Sequence, residues 1–359
     1  MNSHSIETIV NELFEWGYPL LPSKAKKLIA LSEYKLACIP KIYHNRNFHP
    51  PNGLSRGAVT ISLDFEMAWA WQYSKNIKVN IVELGLQERA QVPLILSKFE
   101  MLNIPATWAT VGHLFLDRCS REASGLAHHD LPRLPSFKNK IWEFASGDWY
   151  QFDPCSSVEQ APAWYAPDLI EKILSSPTGQ EIACHGFSHA GFGSYCPRSV
   201  ALAELSASIS AMARFGIKPK SFVFPGNDEG NFEALAEKGF QIVRSFPKGY
   251  ADISLPVRRK NDGLWCVHVS SGICRGGSRW TRDERLARLK LFVDMAEKTR
   301  LATHIWLHPS LPNSDIEEIL IPFLVYCADK RERGVLDIFT MEKLVQATET
   351  ESLFDQSVE

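Results

Sequence analysis

The sequence predicts an α/β protein, either a (β/α) barrel or a doubly wound sheet, and three observations carry that expectation. From Gly57 onward, short runs rich in β-branched and aromatic residues alternate with longer segments of helical periodicity. Polar or turn-forming residues fall where several of those runs end, which is where both architectures place their reactive groups. The 359 residues, 45% hydrophobic and 22% charged, are enough for one large domain with a substantial core.

Residues 1–55 read as an N-terminal extension, with helical patterns in SIETIVNELFEW and SKAKKLIALSEYKL and then an irregular linker, YHNRNFHPPNG. The main domain, residues 56–347, opens with AVTISLDF as a strand. LQERAQVPLILSKFEML follows as a helix despite Pro93, then PATWATV as a strand. Residues 116–180 interrupt the alternation as an insertion that ends in a helix at APDLIEKILSS. Next come strand QEIACH and helix RSVALAELSASISAMARFG, closed by Gly216, then strand KSFVFP, helix NFEALAEKG and strand FQIVRS. LWCVHVS, DERLARLKLFVDMAEKT, ATHIWLH and SDIEEILIPFLVYCADKRERG continue the pattern as strand, helix, strand and helix. The polar tail, residues 348–359, is expected to fray.

A net charge of −2 without a dense Lys/Arg cluster argues against a nucleic-acid partner. The longest apolar stretch, ILIPFLVYCA, is interrupted by Pro322 and too short to span a bilayer, so no membrane insertion is expected. The first residues lack a basic segment followed by an apolar one, and a cytoplasmic location is the expectation. Eight scattered cysteines without a CxxC pair describe neither a disulfide framework nor a Cys-type zinc site, but rather reduced buried thiols.

Asp64 and Glu66 lie two apart at the end of the first strand, so they project on one face. Two carboxylates held close call for a cation or a shared proton, although a solvated acidic turn has the same sequence. EIACHGFSH places His185 and His189 four apart after another strand, a spacing that two ordinary polar side chains also produce. A carboxylate with two imidazoles is a common open ligand set for zinc and related ions, and a second carboxylate can then act as a base toward water. His308, followed by Pro309 at a later strand end, supplies a candidate acid, with a satisfied core histidine as the plain alternative. Trp149, Tyr150, Trp164 and Tyr165 of the insertion, with Trp69 and Trp71, suit either stacking on sugars or core filling. GFSHA approaches a nucleophile elbow, but its serine sits between two histidines that a metal explains better.

Taken in order, TISLDFEMAW, PATWATVGHLF, EIACHGFSH, SFVFPGND and HIWLHPSL resemble the motifs of the polysaccharide deacetylase family, from about Gly57 to Gln346. The resemblance implies a distorted (β/α) barrel that hydrolyses an N-acyl amide, acetyl or formyl, on an amino sugar of a polysaccharide or its precursor. It implies Asp64 as base, His308 as acid, and Glu66, His185 and His189 as ligands of a divalent ion, zinc by preference. Here Phe65 separates the two acidic residues, where the commoner motif has adjacent aspartates. The third motif usually carries an Arg that orients the base; Lys220 is the cation directly ahead of SFVFP, and Arg244, one strand later, is the stand-in. Pro225, Asn227, Arg244 and Trp149 are the expected substrate contacts, and Arg275 and Arg279 of SSGICRGGSRW further candidates. A carbohydrate or sugar-derived molecule is the expected partner. A deacylase of a non-sugar small amide, or an inactive carbohydrate-binding relative, are the alternatives.

Overall fold

The structure is a computed structural model describing residues 22–43, 53–75, 80–139, 142–246 and 253–356, with side chains to residue 351. The helix expected at SIETIVNELFEW and most of the linker lie outside the described residues. Eight parallel strands carry the barrel: β1 Gly57–Phe65, β2 Thr107–Thr110, β3 Glu181–Cys184, β4 Ser221–Val223, β5 Ile242–Ser245, β6 Trp265–His268, β7 Ala302–Leu307 and β8 Leu336–Phe339. Pairing runs β6-β5-β4-β3-β2-β1-β7. Just past β6, Val269 N–H donates to Ser245 O of β5 at 3.0 Å and Ser270 N–H to His304 O of β7 at 2.9 Å, so this segment links both edges and closes the ring.

The distortion comes from β8. It pairs with Gly57–Thr60, whereas β2 pairs with Ser62–Phe65, so the two lie end to end along one edge of β1. β1 is therefore buried on both faces throughout, as its near-continuous apolar run requires in a parallel sheet. Val59, Ile61, Leu63 and Phe65 join the main core cluster. Ser62 and Asp64, of the opposite parity, meet Arg244 of β5 and His304 of β7.

The helices are α1 Ser23–Ala37, α2 Ile81–Met101, α3 Pro167–Leu174, α4 Arg198–Ala213, α5 Phe232–Glu237, α6 Arg282–Thr299, α7 Ile321–Glu332 and α8 Met341–Gln356. Asn80 caps α2 by accepting from Val82 N–H, and the helix runs on through Pro93 because Val92, Ile95, Leu96 and Phe99 anchor it in the core. Thr281 and Glu284 form a capping box on α6.

The closing segment differs from the expectation. The chain past Thr348 stays helical to Gln356: Thr348 is buried, and Met341, Leu344 and Val345 of α8 pack with Ala58, Ala109, Ala183 and Val223 in a second apolar cluster, which anchors the helix that continues into the polar tail. The extension is also fastened to the barrel. Ile42–Tyr43 pairs with Ile253–Ser254, Arg288 donates to Ala37 O at 2.9 Å, and Arg279 pairs with Glu33 at 2.7 Å.

Candidate active site

The strand ends bring the acidic and imidazole side chains together at the carboxyl face of the barrel. Asp64 and Glu66 are 3% and 2% exposed, which excludes a solvated turn. The chain leaves β1 sharply, with Met67 in the left-handed region at φ 53°. Glu88 of α2 fixes that corner: its Oε1 accepts the Glu66 and Met67 N–H groups at 2.9 and 3.1 Å. Burial, and then the Glu66 charge, raise the Glu88 carboxyl to about 8.

His185 follows β3 directly. Its Nδ1 lies 2.7 Å from Val223 O of β4. A carbonyl only accepts, so Nδ1 carries the proton and Nε2 turns a lone pair toward Glu66 Oε1, 2.6 Å away. The following GFSH loop is folded tightly, with Gly186 at φ 70° and His189 at φ 60°. That turn, not a helix, carries His189 back, so its Nε2 lies 3.1 Å from the same Glu66 oxygen. Glu204 of α4 holds the loop by accepting from Phe187 N–H, Ser188 N–H and Ser188 Oγ–H at 2.8, 2.9 and 2.6 Å. Ser188 also accepts from Trp149 Nε1 at 2.8 Å and is fully buried, so it is no exposed nucleophile.

The other half of the site faces Asp64. Arg244 engages both its oxygens, Nη2 at 2.7 Å from Oδ2 and Nη1 on Oδ1, and the pair is 1% and 4% exposed. Ser62 Oγ and Asn227 Oδ1 accept from the same guanidinium at 3.1 and 3.2 Å, and Trp306 lies beneath it at 5.2 Å. His308 Nε2 lies 3.4 Å from Glu66 Oε2 and is the more open member, 28% exposed. Burial alone would lower its pKa, but the charges of Glu66, Asp64 and Glu88 outweigh that and raise it to about 9.

The donor set fits a divalent cation. Ligand atoms of Glu66, His185 and His189 all lie within 4.8 Å of one another. Burial drives His189 toward its neutral form. Burial also opposes the Glu66 charge, yet His189, His308 and His185 hold its carboxyl well below the usual range. Two imidazoles and an ionised carboxylate converging in a buried site form a donor set that a cation, bound in place of the imidazole protons, would fit.

The remaining expected residues sort by position. Pro225 and Trp149 line a small cleft beside His189 with Trp142, Phe137 and Tyr195. Gly226, at φ 60°, lets Trp142 approach: a Cβ there would sit 2.9 Å from Trp142 Nε1. Trp149 is only 3% exposed, stacked on Tyr73 at 4.5 Å, and so forms wall instead of an open stacking face. Tyr150, Trp164, Tyr165 and Trp69 are core residues. Lys220 pairs with Glu342, and Arg279 with Glu33 on α1. Glu88, Glu204, Ser62 and His304 escape a reading of motifs. The usable signal was an acid inside an apolar helical stripe: Glu204 lies among Val200, Ala201, Leu205 and Ser208, all buried.

No protein-family profile and no curated protein matches the sequence. Among solved structures, a Mycobacterium smegmatis protein assigned as a polysaccharide deacetylase superposes with a TM-score of 0.58 at 15% identity, over 87% of this chain and 94% of that one. A Pseudomonas aeruginosa protein of the same assignment gives 0.55 at 13% identity, over 81% and 90%. The chain has the polysaccharide-deacetylase fold. The PuuE allantoinase shares that fold, at 0.56 and 14% identity over 83% and 92% of the two chains. In the polysaccharide-deacetylase fold described here, no helix among the described residues is long and apolar enough to cross a membrane.

Two outcomes follow from this geometry. Glu204→Gln keeps the volume but removes the charged acceptor behind the GFSH loop, and should weaken metal affinity about 10- to 100-fold, read by competition with a chelator. For the metal-free chain, His308 titrates higher folded, about 9, than its ordinary 6.5. Its stabilising contribution is complete below pH 6.5 and is lost as pH rises toward 9. The metal-free thermal midpoint should thus fall over that window, and His308→Gln should flatten the fall.

Proposed function

We propose that this protein is a metal-dependent hydrolase that removes an acetyl or formyl group from the nitrogen of an amino sugar. The observation that carries the reading is the sharing of one Glu66 oxygen by two imidazoles, with Asp64–Arg244 on one side and His308 on the other. Glu66, His185 and His189 hold the cation, zinc by preference for two nitrogens and a carboxylate. When bound, a divalent cation there makes water more acidic and favours negative charge on the acyl oxygen.

The chain's own groups do the proton chemistry. Asp64, aimed by the two bonds from Arg244, accepts a proton from the attacking water. The water oxygen bonds to the acyl carbon, and the C–N bond breaks as protonated His308 gives its Nε2 proton to the departing nitrogen. The proton on Asp64 returns to His308 through solvent, which restores the site. Two indoles frame the centre: Trp71 lies 5.4 Å from His308 and Trp142 5.1 Å from His189. Their Nε1–H groups are buried without a hydrogen-bond partner among the described residues. A flat apolar ring with a spare donor on each side suits a sugar ring carrying hydroxyls.

The likeness to an allantoinase favours a second reading, in which the scissile amide belongs to a small molecule that is not a sugar. One assay separates the two. Acetate and formate release is measured over a panel of N-acylated amino sugars, and amine release or ring opening over acyclic and cyclic small amides, each with and without chelator. Chelator-sensitive release from an amino sugar is the expected result. Hydrolysis confined to the non-sugar amides would replace the first reading, and no turnover of any member by the metal-loaded chain would end both.

A further inference from the structure

A second group of donors lies outside the site just described. His113, in the turn after β2, meets Cys119, His128 and Asp153 of the insertion, and their ligand atoms all fall within 4.8 Å of one another. His113 Nε2 and His128 Nε2 approach the same oxygen, Asp153 Oδ2, at 3.2 and 3.0 Å, and Cys119 Sγ lies 3.5 Å from it. In a tetrahedral site with metal–N and metal–O bonds of about 2.0 Å, N···O edges are about 3.3 Å, and a metal–S bond of about 2.3 Å gives S···O edges of about 3.5 Å. The three distances to Asp153 Oδ2 match three edges of such a tetrahedron, and the other donor pairs lie within 4.8 Å.

The tautomer points the same way. His113 Nδ1 faces Trp164 O at 3.4 Å, and its ring is fully buried. With the Nδ1 proton turned to that carbonyl, Nε2 carries a lone pair, and it has no hydrogen-bond partner among the described residues although a carboxylate oxygen is close. His185 has the same arrangement, Nδ1 on a main-chain carbonyl and Nε2 on a carboxylate oxygen shared with another imidazole. The surroundings orient the donors as metal sites require: Cys155 N–H donates to Asp153 Oδ1 at 2.9 Å, and Tyr165 Oη lies 3.2 Å from Cys119 Sγ.

We propose that His113, Cys119, His128 and Asp153 bind a structural zinc ion that pins the insertion to the barrel. Four protein donors leave no open position, which separates this site from the hydrolytic one. Zinc suits the mixture of thiolate, imidazole and carboxylate. The insertion has need of such a staple. Between Phe115 and Pro167 the described regular structure is two strands of two residues, Phe137–Lys138 and Glu143–Phe144. So long a connection without its own elements is uncommon in a compact domain. The scattered cysteines, without a close pair, thus conceal a ligand that the fold brings to two histidines and a carboxylate. This inference stands independently of the substrate reading.

The test uses the full chain, stripped of metal, kept reduced and titrated with cobalt(II). Of the two sites, the proposed one alone includes a cysteine, so its occupation is visible as a thiolate-to-cobalt charge-transfer band in the near ultraviolet. Two equivalents should bind with that band present. His189→Ala should lose one equivalent and keep the band; Cys119→Ser should lose the band. His128→Gln, at a ring 13% exposed, is the milder second variant and should weaken cobalt binding at this site at least tenfold. A wild-type chain that shows no thiolate band, or a band that survives Cys119→Ser, would overturn the proposal.

Discussion

Asp64→Asn and His308→Ala should each lower turnover about 10²- to 10⁴-fold while the metal content of the protein stays unchanged. Neither side chain is one of the two that share Glu66 Oε1: Asp64 is engaged by Arg244, and His308 lies on the other Glu66 oxygen, Oε2. Asn in place of Asp64 keeps its size but no longer accepts a proton, and Ala in place of His308 leaves nothing to protonate the departing nitrogen. The loss should appear in kcat more than in KM, because both groups act on the moving protons. Normal turnover in either variant would show that the roles are assigned to the wrong residues.

Arg244→Ala should be the most damaging change to stability, by about 3–5 kcal/mol, because it leaves the buried Asp64 carboxylate without its counter-charge. The substitution also removes the donor to Asn227 Oδ1 and one of two partners of Ser62 Oγ, which keeps its contact with His304. If the loss is the uncompensated charge, adding Asp64→Asn to Arg244→Ala should recover part of it in denaturant unfolding. Simple additivity of the two changes would mean that Arg244 contributes packing over Trp306 alone. Arg244→Lys should not restore activity, since one ammonium cannot make the two parallel bonds to the carboxylate.

Much of the barrel was legible because its strands are buried on both faces and therefore read as apolar runs that end in chemistry. Asp64, His185, Pro225 and His308 all sit at such ends, and the fold collects those ends on one face. What the motifs could not show is how the loops are held. Glu88 and Glu204 are buried acids on helices, and only their main-chain partners, far away in sequence, explain them. Burial decided the aromatics: Trp149 and Tyr165 pack inward, while Trp71 and Trp142 remain beside the reacting groups. The closing helix outlasted its composition because its apolar residues are fixed in the second cluster. The four donors of the proposed zinc site lie 6, 9 and 25 positions apart along the chain, with no short spacing to mark them.

The account rests on Glu66, His185 and His189 sharing one divalent ion. Anomalous diffraction at the zinc edge, from crystals of the full chain grown with zinc, tests this directly. A peak about 2.0–2.2 Å from a Glu66 carboxylate oxygen and from Nε2 of both histidines is the predicted result. Crystals that hold zinc elsewhere, with no peak between these three side chains, would contradict it.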